Sequence, residues 1–259
     1  MLVGTAPVGP LAVRAARVEQ FSGRTVELPD ATVVLANFEL PYAVRESLLP
    51  PALHPNTPPL LAVLAWRCPE SPWGPFSLVQ LRAGCRSGVR SRGFLLGAGL
   101  DNREAAAALA SGWGLAARPA EVAVRPGYDA TSVAVTFTDD DTGADALQLR
   151  LFDPDPLGLD DVQYTGTLSP AETGRGLRLA QFEPEYAVQR AERAKPRVDG
   201  FDAAAWGAPD AVPRGPIAAS VATATITLRP VRFVCRVDVN GFEGTEPVEA
   251  APADGSDDA

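Results

Sequence analysis

The chain has 259 residues, of which 46% are hydrophobic and 21% are charged, and its formal net charge at pH 7 is −9. This length is sufficient for one domain with a full hydrophobic core. The negative charge argues against nucleic-acid binding, because a polyanion would be repelled. Since no apolar run approaches the ~20 residues of a membrane span, we expect no membrane insertion.

The cysteines and the two ends of the chain predict a cytoplasmic protein with one central domain. Cys68, Cys85 and Cys235 are odd in number and widely spaced, as is typical of reduced thiols. Residues 1–20 lack the pattern of a signal peptide, so we interpret them as a loose N-terminal arm. Residues 241–259 carry six acidic side chains and no basic one, which predicts a disordered acidic tail.

The hydrophobic pattern between these ends predicts a single domain over residues 21–240, built mainly from strands. We predict strands at 32–40, 60–66, 78–83, 94–96, 121–124, 132–138, 147–152, 177–182, 221–228 and 232–239, with short helical segments at 42–49, 103–109 and 186–193. In the third strand Gln80 and Arg82 alternate with apolar residues, which predicts a half-exposed strand. The predicted fold class is therefore α+β, with one curved or closed antiparallel sheet of about ten strands and a few short helices.

The stretch 100–124, LDNREAAAALASGWGLAARPAEVAV, is the most informative part of the sequence. Asp101 and Asn102 are good N-cap residues, and the alanine-rich segment behind them favours a helix. Two glycines then break the helix, and Pro119 precedes a β-like segment. A capped helix followed by a turn and a strand can hold a site on a rigid scaffold, although the same pattern is typical of an ordinary connection.

The order of these features resembles the acetoacetate decarboxylase superfamily. In that family a lysine directly after the proline forms a Schiff base with the β-keto acid substrate. A second segment supports the resemblance: LPPAL at 49–53, a strand, and GPF at 74–76 follow the order of the family's LPPGL-type and GPY-type segments. The resemblance covers residues 20–125 well and the rest loosely. It implies a barrel-like cone of strands around a pocket, and assembly into homo-oligomers.

The sequence departs from the family pattern at the lysine. Ala120 follows Pro119, and counting from Asp101 without an insertion places the lysine position at Ala117 instead. Lys195 is the only lysine, and it lies in a charged run that we expect at the surface. An imine needs an amine with a lowered pKa, so we predict a protein without Schiff-base chemistry.

The resemblance also places two family carboxylates at apolar positions. They fall at Leu64 and Leu78, and an arginine that holds the substrate carboxylate corresponds to Arg24. Removing charges from a buried cavity removes their desolvation cost, so we expect a pocket suited to an apolar ligand. His54 is the only histidine and no phosphate-binding or metal-binding motif is present. The acidic run at 139–145 reads as a solvated turn, so we predict neither a metal nor a cofactor.

These observations lead to a functional hypothesis with two alternatives. We expect an acetoacetate-decarboxylase-like biosynthetic enzyme, of lyase or cyclase type, that cyclises, dehydrates or rearranges an apolar polyketide-type intermediate. A non-catalytic small-molecule-binding protein and an imine-independent β-keto acid decarboxylase remain open. The predicted catalytic residues are Arg24 and Arg118, as anion or enolate partners, and Glu121, as an acid or base. The predicted substrate-binding residues are Leu64, Trp66, Phe76, Leu78, Trp113 and Ala120.

Overall fold

The computed structural model describes residues 2–138, 143 and 145–249 of the chain. Within these residues fifteen strands and three short α-helices are formed. The strands are β1 (Ala16–Val18), β2 (Val26–Glu39), β3 (His54–Pro55), β4 (Leu60–Cys68), β5 (Phe76–Ser87), β6 (Arg90–Leu100), β7 (Arg118–Arg125), β8 (Ala130–Phe137), β9 (Asp145–Pro156), β10 (Thr167–Thr173), β11 (Gly176–Phe182), β12 (Glu185–Phe201), β13 (Pro216–Leu228), β14 (Phe233–Arg236) and β15 (Thr245–Pro247). The helices are α1 (Gly9–Val13), α2 (Arg103–Trp113) and α3 (Gly241–Gly244).

Nine of the strands form a ring, in the order β6-β7-β8-β9-β12-β13-β2-β4-β5, which closes where β5 pairs with β6. A second arm of strands, β10-β11-β14-β15, leaves the ring at β6. The branch is possible because β6 pairs with β7 through Gly99 and Leu100 but with β10 through Gly93 and Phe94. The predicted mainly antiparallel, cone-like α+β fold is therefore confirmed, with more strands than expected.

The fold has two hydrophobic cores. Eight of the nine ring strands contribute buried residues to the first, which we call the ring core, and β12 packs partly buried residues against it. The ring core also contains Trp206. The second, the outer core, lies on the other face of β2, β4, β5, β6 and β13. Helix α2 and the strands β1, β10, β11 and β14 cover it.

Strand β5 is consequently buried on both faces, which corrects the prediction of a half-exposed strand. Val79, Leu81 and Ala83 face the ring core, whereas Leu78 belongs to the outer core. Gln80 and Arg82 alternate with the ring-core residues and are 0% and 1% exposed. Polar and apolar residues do alternate along β5, but a second layer of the protein, and not water, covers the polar face.

The segment predicted as a helix at 186–193 is the start of the long strand β12. β12 pairs with β13 on one side and with β9 on the other. Both partners are long strands, so pairing outweighs the weak helical preference of the charged residues. Lys195 lies on this strand with its side chain 81% exposed, as expected for a surface lysine.

Both ends of the described chain are attached to the sheet. In the predicted N-terminal arm, β1 pairs with β10, and Leu11 and Val18 are buried. In the predicted acidic tail, β15 pairs with β14, so at least residues 245–247 are not a disordered tail. The remainder of that tail, 250–259, and most of the acidic turn at 139–145 lie outside the described residues. None of the helices in the described ranges is long and apolar enough to cross a membrane.

Helix α2 begins at the predicted N-cap but runs to Trp113, past the predicted end at residue 109, so Gly112 lies inside the helix and Gly114 ends it. The Asn102 side chain accepts hydrogen bonds from the amides of Glu104 and Ala105, and its Nδ2 donates to the carbonyls of Trp73 and Pro75. Asn102 therefore joins the helix to the turn before β5. At the other end Gly114 adopts a left-handed conformation with φ 71°, where glycine is favoured.

We predict that Asn102→Ala lowers the free energy of unfolding by about 2–4 kcal/mol, since it removes an N-cap and two further hydrogen bonds. Asn102→Ser keeps a capping oxygen and loses the two Nδ2 bonds, so its loss should be roughly half as large. Urea unfolding of both variants checks this. Equal losses in the two variants would show that the cap contributes nothing.

Candidate functional site

The outer core contains a group of four buried polar side chains, Gln80, Arg82, Thr167 and Ser169, which we call the Arg82 cluster. Their exposures are 0%, 1%, 2% and 0%, respectively. Gln80 and Arg82 share one face of β5. Thr167 and Ser169 share one face of β10, and same-face neighbours in a strand lie roughly 6.6 Å apart.

Hydrogen bonds connect the two strands of the cluster. Arg82 Nη1 donates to the carbonyl oxygen of Thr165 at 3.0 Å and to Thr167 Oγ1 at 3.2 Å. Thr167 Oγ1 in turn donates to Gln80 Oε1 at 2.8 Å. The Arg82 side chain lies against Gly93, where a Cβ atom would approach Arg82 Cδ to 2.9 Å. A glycine is therefore required here to leave room for the guanidinium.

Four aromatic residues stand beside this cluster. The Trp66 ring lies 6.0 Å from Phe182 and 6.1 Å from Tyr186, measured between centroids. Tyr186 stacks on Tyr164 with centroids 4.3 Å apart. The site thus combines a large apolar surface with a few buried polar groups, which is typical of small-molecule pockets.

Burial shifts the pKa of the ionisable groups in this region. It raises the pKa of Tyr164 from 10.0 to about 12. It also raises the pKa of Tyr186, and the nearby Arg82 guanidinium offsets part of that rise. Burial lowers the pKa of Arg82 itself, but a guanidinium stays protonated in proteins. At neutral pH the region therefore holds one cation and two neutral phenols.

An open pocket of about 560 Å³, which we call the vestibule, lies next to the cluster. Tyr164 and Thr165 line it, and Thr165 is also the residue whose carbonyl accepts from Arg82. The vestibule is lined further by the ion pairs Arg92–Glu183 and Arg229–Glu185. Thr165 therefore lies between the vestibule and the Arg82 cluster and contacts both.

None of the protein-family models matches this chain, and no curated protein sequence matches it. Solved structures do match. Acetoacetate decarboxylase from Legionella pneumophila has a TM-score of 0.68 at 16% identity, covering 80% of this chain and 86% of that chain. The chain has the acetoacetate decarboxylase fold.

Two further structures with this fold are similar to the chain. An acetoacetate decarboxylase-like enzyme from Sphingomonas wittichii RW1 has a TM-score of 0.62 at 12% identity, covering 81% of this chain and 93% of that chain. The enduracididine biosynthesis enzyme MppR, complexed with pyruvate, has a TM-score of 0.58 at 14% identity, covering 79% and 87%. The resemblance seen in the sequence is thus confirmed at the level of the fold.

Within the acetoacetate decarboxylase fold, five of the predicted substrate-binding residues come together in the outer core. They are Leu64, Trp66, Phe76, Leu78 and Trp113. Leu64 lies directly opposite Gln80, and Trp66 opposite Leu78, in the β4–β5 pairing. Leu64 and Leu78 therefore adjoin Gln80 of the Arg82 cluster.

The predicted polar residues lie elsewhere. Glu121 is exposed on β7, and Arg24 is exposed beside a surface pocket of about 540 Å³ that Trp113 also lines. Arg118 lies on the ring-core side, with its guanidinium carbon 4.1 Å from the Phe137 ring centroid and Nη1 donating to the carbonyl of Ala205. The structure thus does not bring Arg24, Arg118 and Glu121 together.

The two positions at which the family's lysine could fall, Ala120 and Ala117, lie in different cores. Ala120 belongs to the ring core, whereas Ala117 packs against the outer core that holds Leu64 and Leu78. The alignment counted from Asp101 without an insertion therefore places Ala117 beside the same outer core as Leu64 and Leu78. Across the described residues, no group of three or more His, Cys, Asp and Glu side chains is arranged to hold a metal ion.

Sequence reasoning missed the polar half of the site. The alternation around Gln80 and Arg82 predicts only a half-exposed strand, and no sequence pattern assigns a role to Thr167, Ser169 or Tyr186. Arg82 is 85 residues from Thr167 along the chain, so no local pattern links them. The available signal was the pair Gln80 and Arg82 within the otherwise apolar segment 78–83.

We predict that stability falls as pH rises from about 10 towards 12. The pKa of Tyr164 is raised in the folded state, so the unfolded chain loses this proton first and is favoured at high pH. Tyr186→Phe and Tyr164→Phe cannot ionise, and each should lose less stability than the wild type over this range. Melting temperatures between pH 8 and 11.5 check this, with pH 8 as the internal control. Parallel curves for all three proteins would contradict the assignment.

Proposed function

We propose that this chain is a biosynthetic enzyme that acts on an apolar carbonyl compound in the outer core without forming an imine. The observation that carries this proposal is the position of Lys195, the only lysine of the sequence. Its Nζ pairs with Asp153 at 2.9 Å on the exposed face of β12, and the side chain is 81% exposed. A solvated, ion-paired ammonium is a poor nucleophile.

The residues around Leu64 and Leu78 support an apolar substrate. Leu64, Leu78 and Trp66 are 0–1% exposed, and Ala117 packs against the same core. We infer that these side chains hold a polyketide-type intermediate in a reactive conformation, which can supply much of the rate enhancement. Cyclisation, dehydration and rearrangement of such compounds can all pass through an enolate.

Hydrogen-bond donors of the Arg82 cluster support the enolate step. A developing negative charge on oxygen is stabilised most strongly by preorganised donors in a site that excludes water. Arg82 and Gln80 both carry such donors at a fully buried position. The biosynthetic role is by analogy with MppR, which is an enzyme of enduracididine biosynthesis.

A specific observation also favours two alternatives. No carboxylate or histidine of the described residues hydrogen-bonds to Gln80, Arg82, Thr167 or Ser169. A site with donors but no adjacent base suits loss of carbon dioxide from a β-keto acid, because that reaction generates its enolate without proton abstraction. It equally suits a protein that binds a small molecule without turnover.

We predict that borohydride traps no covalent adduct. The protein is incubated with acetoacetate and sodium borohydride, and its intact mass is recorded beside that of Lys195→Ala. Both masses should stay unchanged, because the only lysine is solvated and ion-paired. An adduct on the wild type that is missing from Lys195→Ala would overturn the imine-free proposal.

A further inference from the structure

Arg82 is a buried cation whose charge is not balanced by an ion pair. The side chain is 1% exposed, and its hydrogen bonds go to the neutral oxygens of Thr165 and Thr167. No carboxylate of the described residues forms a salt bridge with it. A buried charge without a counter-charge is strongly destabilising, so this arrangement is unfavourable if it serves packing alone.

Three atoms of the same cluster have no hydrogen-bond partner among the described residues. They are Gln80 Nε2, Arg82 Nε and Ser169 Oγ, each with less than 1 Å² exposed. Native proteins satisfy most buried polar atoms, and each exception calls for an explanation. Gln80 and Arg82 lie on β5, and Ser169 lies on β10 two residues after Thr167, which hydrogen-bonds to both Gln80 and Arg82.

The chemistry of these atoms indicates the kind of ligand that fits them. Gln80 Nε2 and Arg82 Nε can only donate hydrogen bonds, and the Ser169 hydroxyl can donate as well. Donors next to a fixed positive charge suit an anion and repel a metal ion. A buried water molecule would satisfy the donors, but it would leave the charge of Arg82 unbalanced.

The vestibule provides the route to these donors. Thr165 is exposed to it, while the carbonyl oxygen of the same residue accepts from Arg82. Tyr164 lines the vestibule and stacks on Tyr186. Thr165 therefore contacts both the vestibule and Arg82, and movement of the segment around Tyr164 and Thr165 would connect the two.

We propose that the Arg82 cluster is the subsite for a planar monoanion with two oxygen atoms, held by Arg82, Gln80 and Ser169. A carboxylate has this chemistry, and so does the enolate of a 1,3-dicarbonyl compound; a guanidinium matches both because it can donate two parallel bonds. The apolar remainder of the ligand lies against Leu64, Leu78 and Trp66. This inference rests on the proposed function and names the substrate class for the same site.

Matched ligands test the proposal by isothermal titration calorimetry at pH 8. Decanoate is compared with methyl decanoate, and 1-phenyl-1,3-butanedione with 1-phenyl-1-butanone. We expect at least one anion-forming compound to bind about ten-fold more tightly than its neutral match, which is the effect of one charge-assisted hydrogen bond. A difference within the decanoate pair identifies the bound anion as a carboxylate, and a difference within the butanedione pair identifies it as an enolate. In Arg82→Met the preference should disappear.

Two further variants keep the test informative if Arg82→Met fails to fold. Ser169→Ala removes a buried hydroxyl that has no partner, so the melting temperature should stay constant or rise while anion affinity falls several-fold. Gln80→Glu supplies a carboxylate beside the cluster, so the melting temperature should rise and anion binding should be lost. Arg229→Gln in the vestibule is the control, and it should retain the preference for the anion.

The outcomes separate this inference from the proposed function. Equal binding of charged and neutral partners by the wild type overturns the anion subsite but leaves an apolar pocket standing. A lower melting temperature with unchanged anion affinity in Ser169→Ala shows a purely structural cluster, and it overturns the inference as well. Binding of none of the four compounds contradicts the proposed function itself, and an imine adduct does so independently.

Discussion

Burial of strands β4, β5 and β6 on both faces is the constraint on which the rest of the structure depends. Closing nine strands into a ring covers one face. The arm that leaves the ring at β6, together with α2, covers the other. Most side chains in the middle of these strands are therefore desolvated, whether polar or apolar. A polar residue here is tolerated only where a partner satisfies it, so its presence carries information about function.

Desolvation is most unfavourable for Arg82, because its side chain carries a charge. Thr165 and Thr167 satisfy part of the guanidinium, and Gly93 leaves room for the side chain. These contacts orient the group but do not neutralise it. Sites that are organised for an anion commonly give up stability in the absence of their ligand, because the donors must be in place before the charge arrives.

The branching of the sheet explains why polar groups from distant parts of the chain meet at this point. β6 pairs with β5 along its length and with β10 near Gly93, so β10 carries Thr167 and Ser169 to the flank of Arg82. The residues just before β10 then pass between Arg82 and the vestibule. One short segment thereby contributes a hydrogen-bond acceptor, an aromatic wall and the boundary with solvent. A change in this segment affects the site and its access together.

The sequence by itself determined the fold class, the capped and glycine-terminated helix α2, and the exposed position of Lys195, because periodicity, caps and charge act locally. It also selected Leu64, Leu78, Trp66 and Trp113, which come together in the outer core. Only the tertiary structure decided that Gln80 and Arg82 face a second core and not water, since alternation in a strand marks two faces without saying what covers them. The partners of Arg82 lie more than 80 residues away, and strand pairing alone brings them into contact.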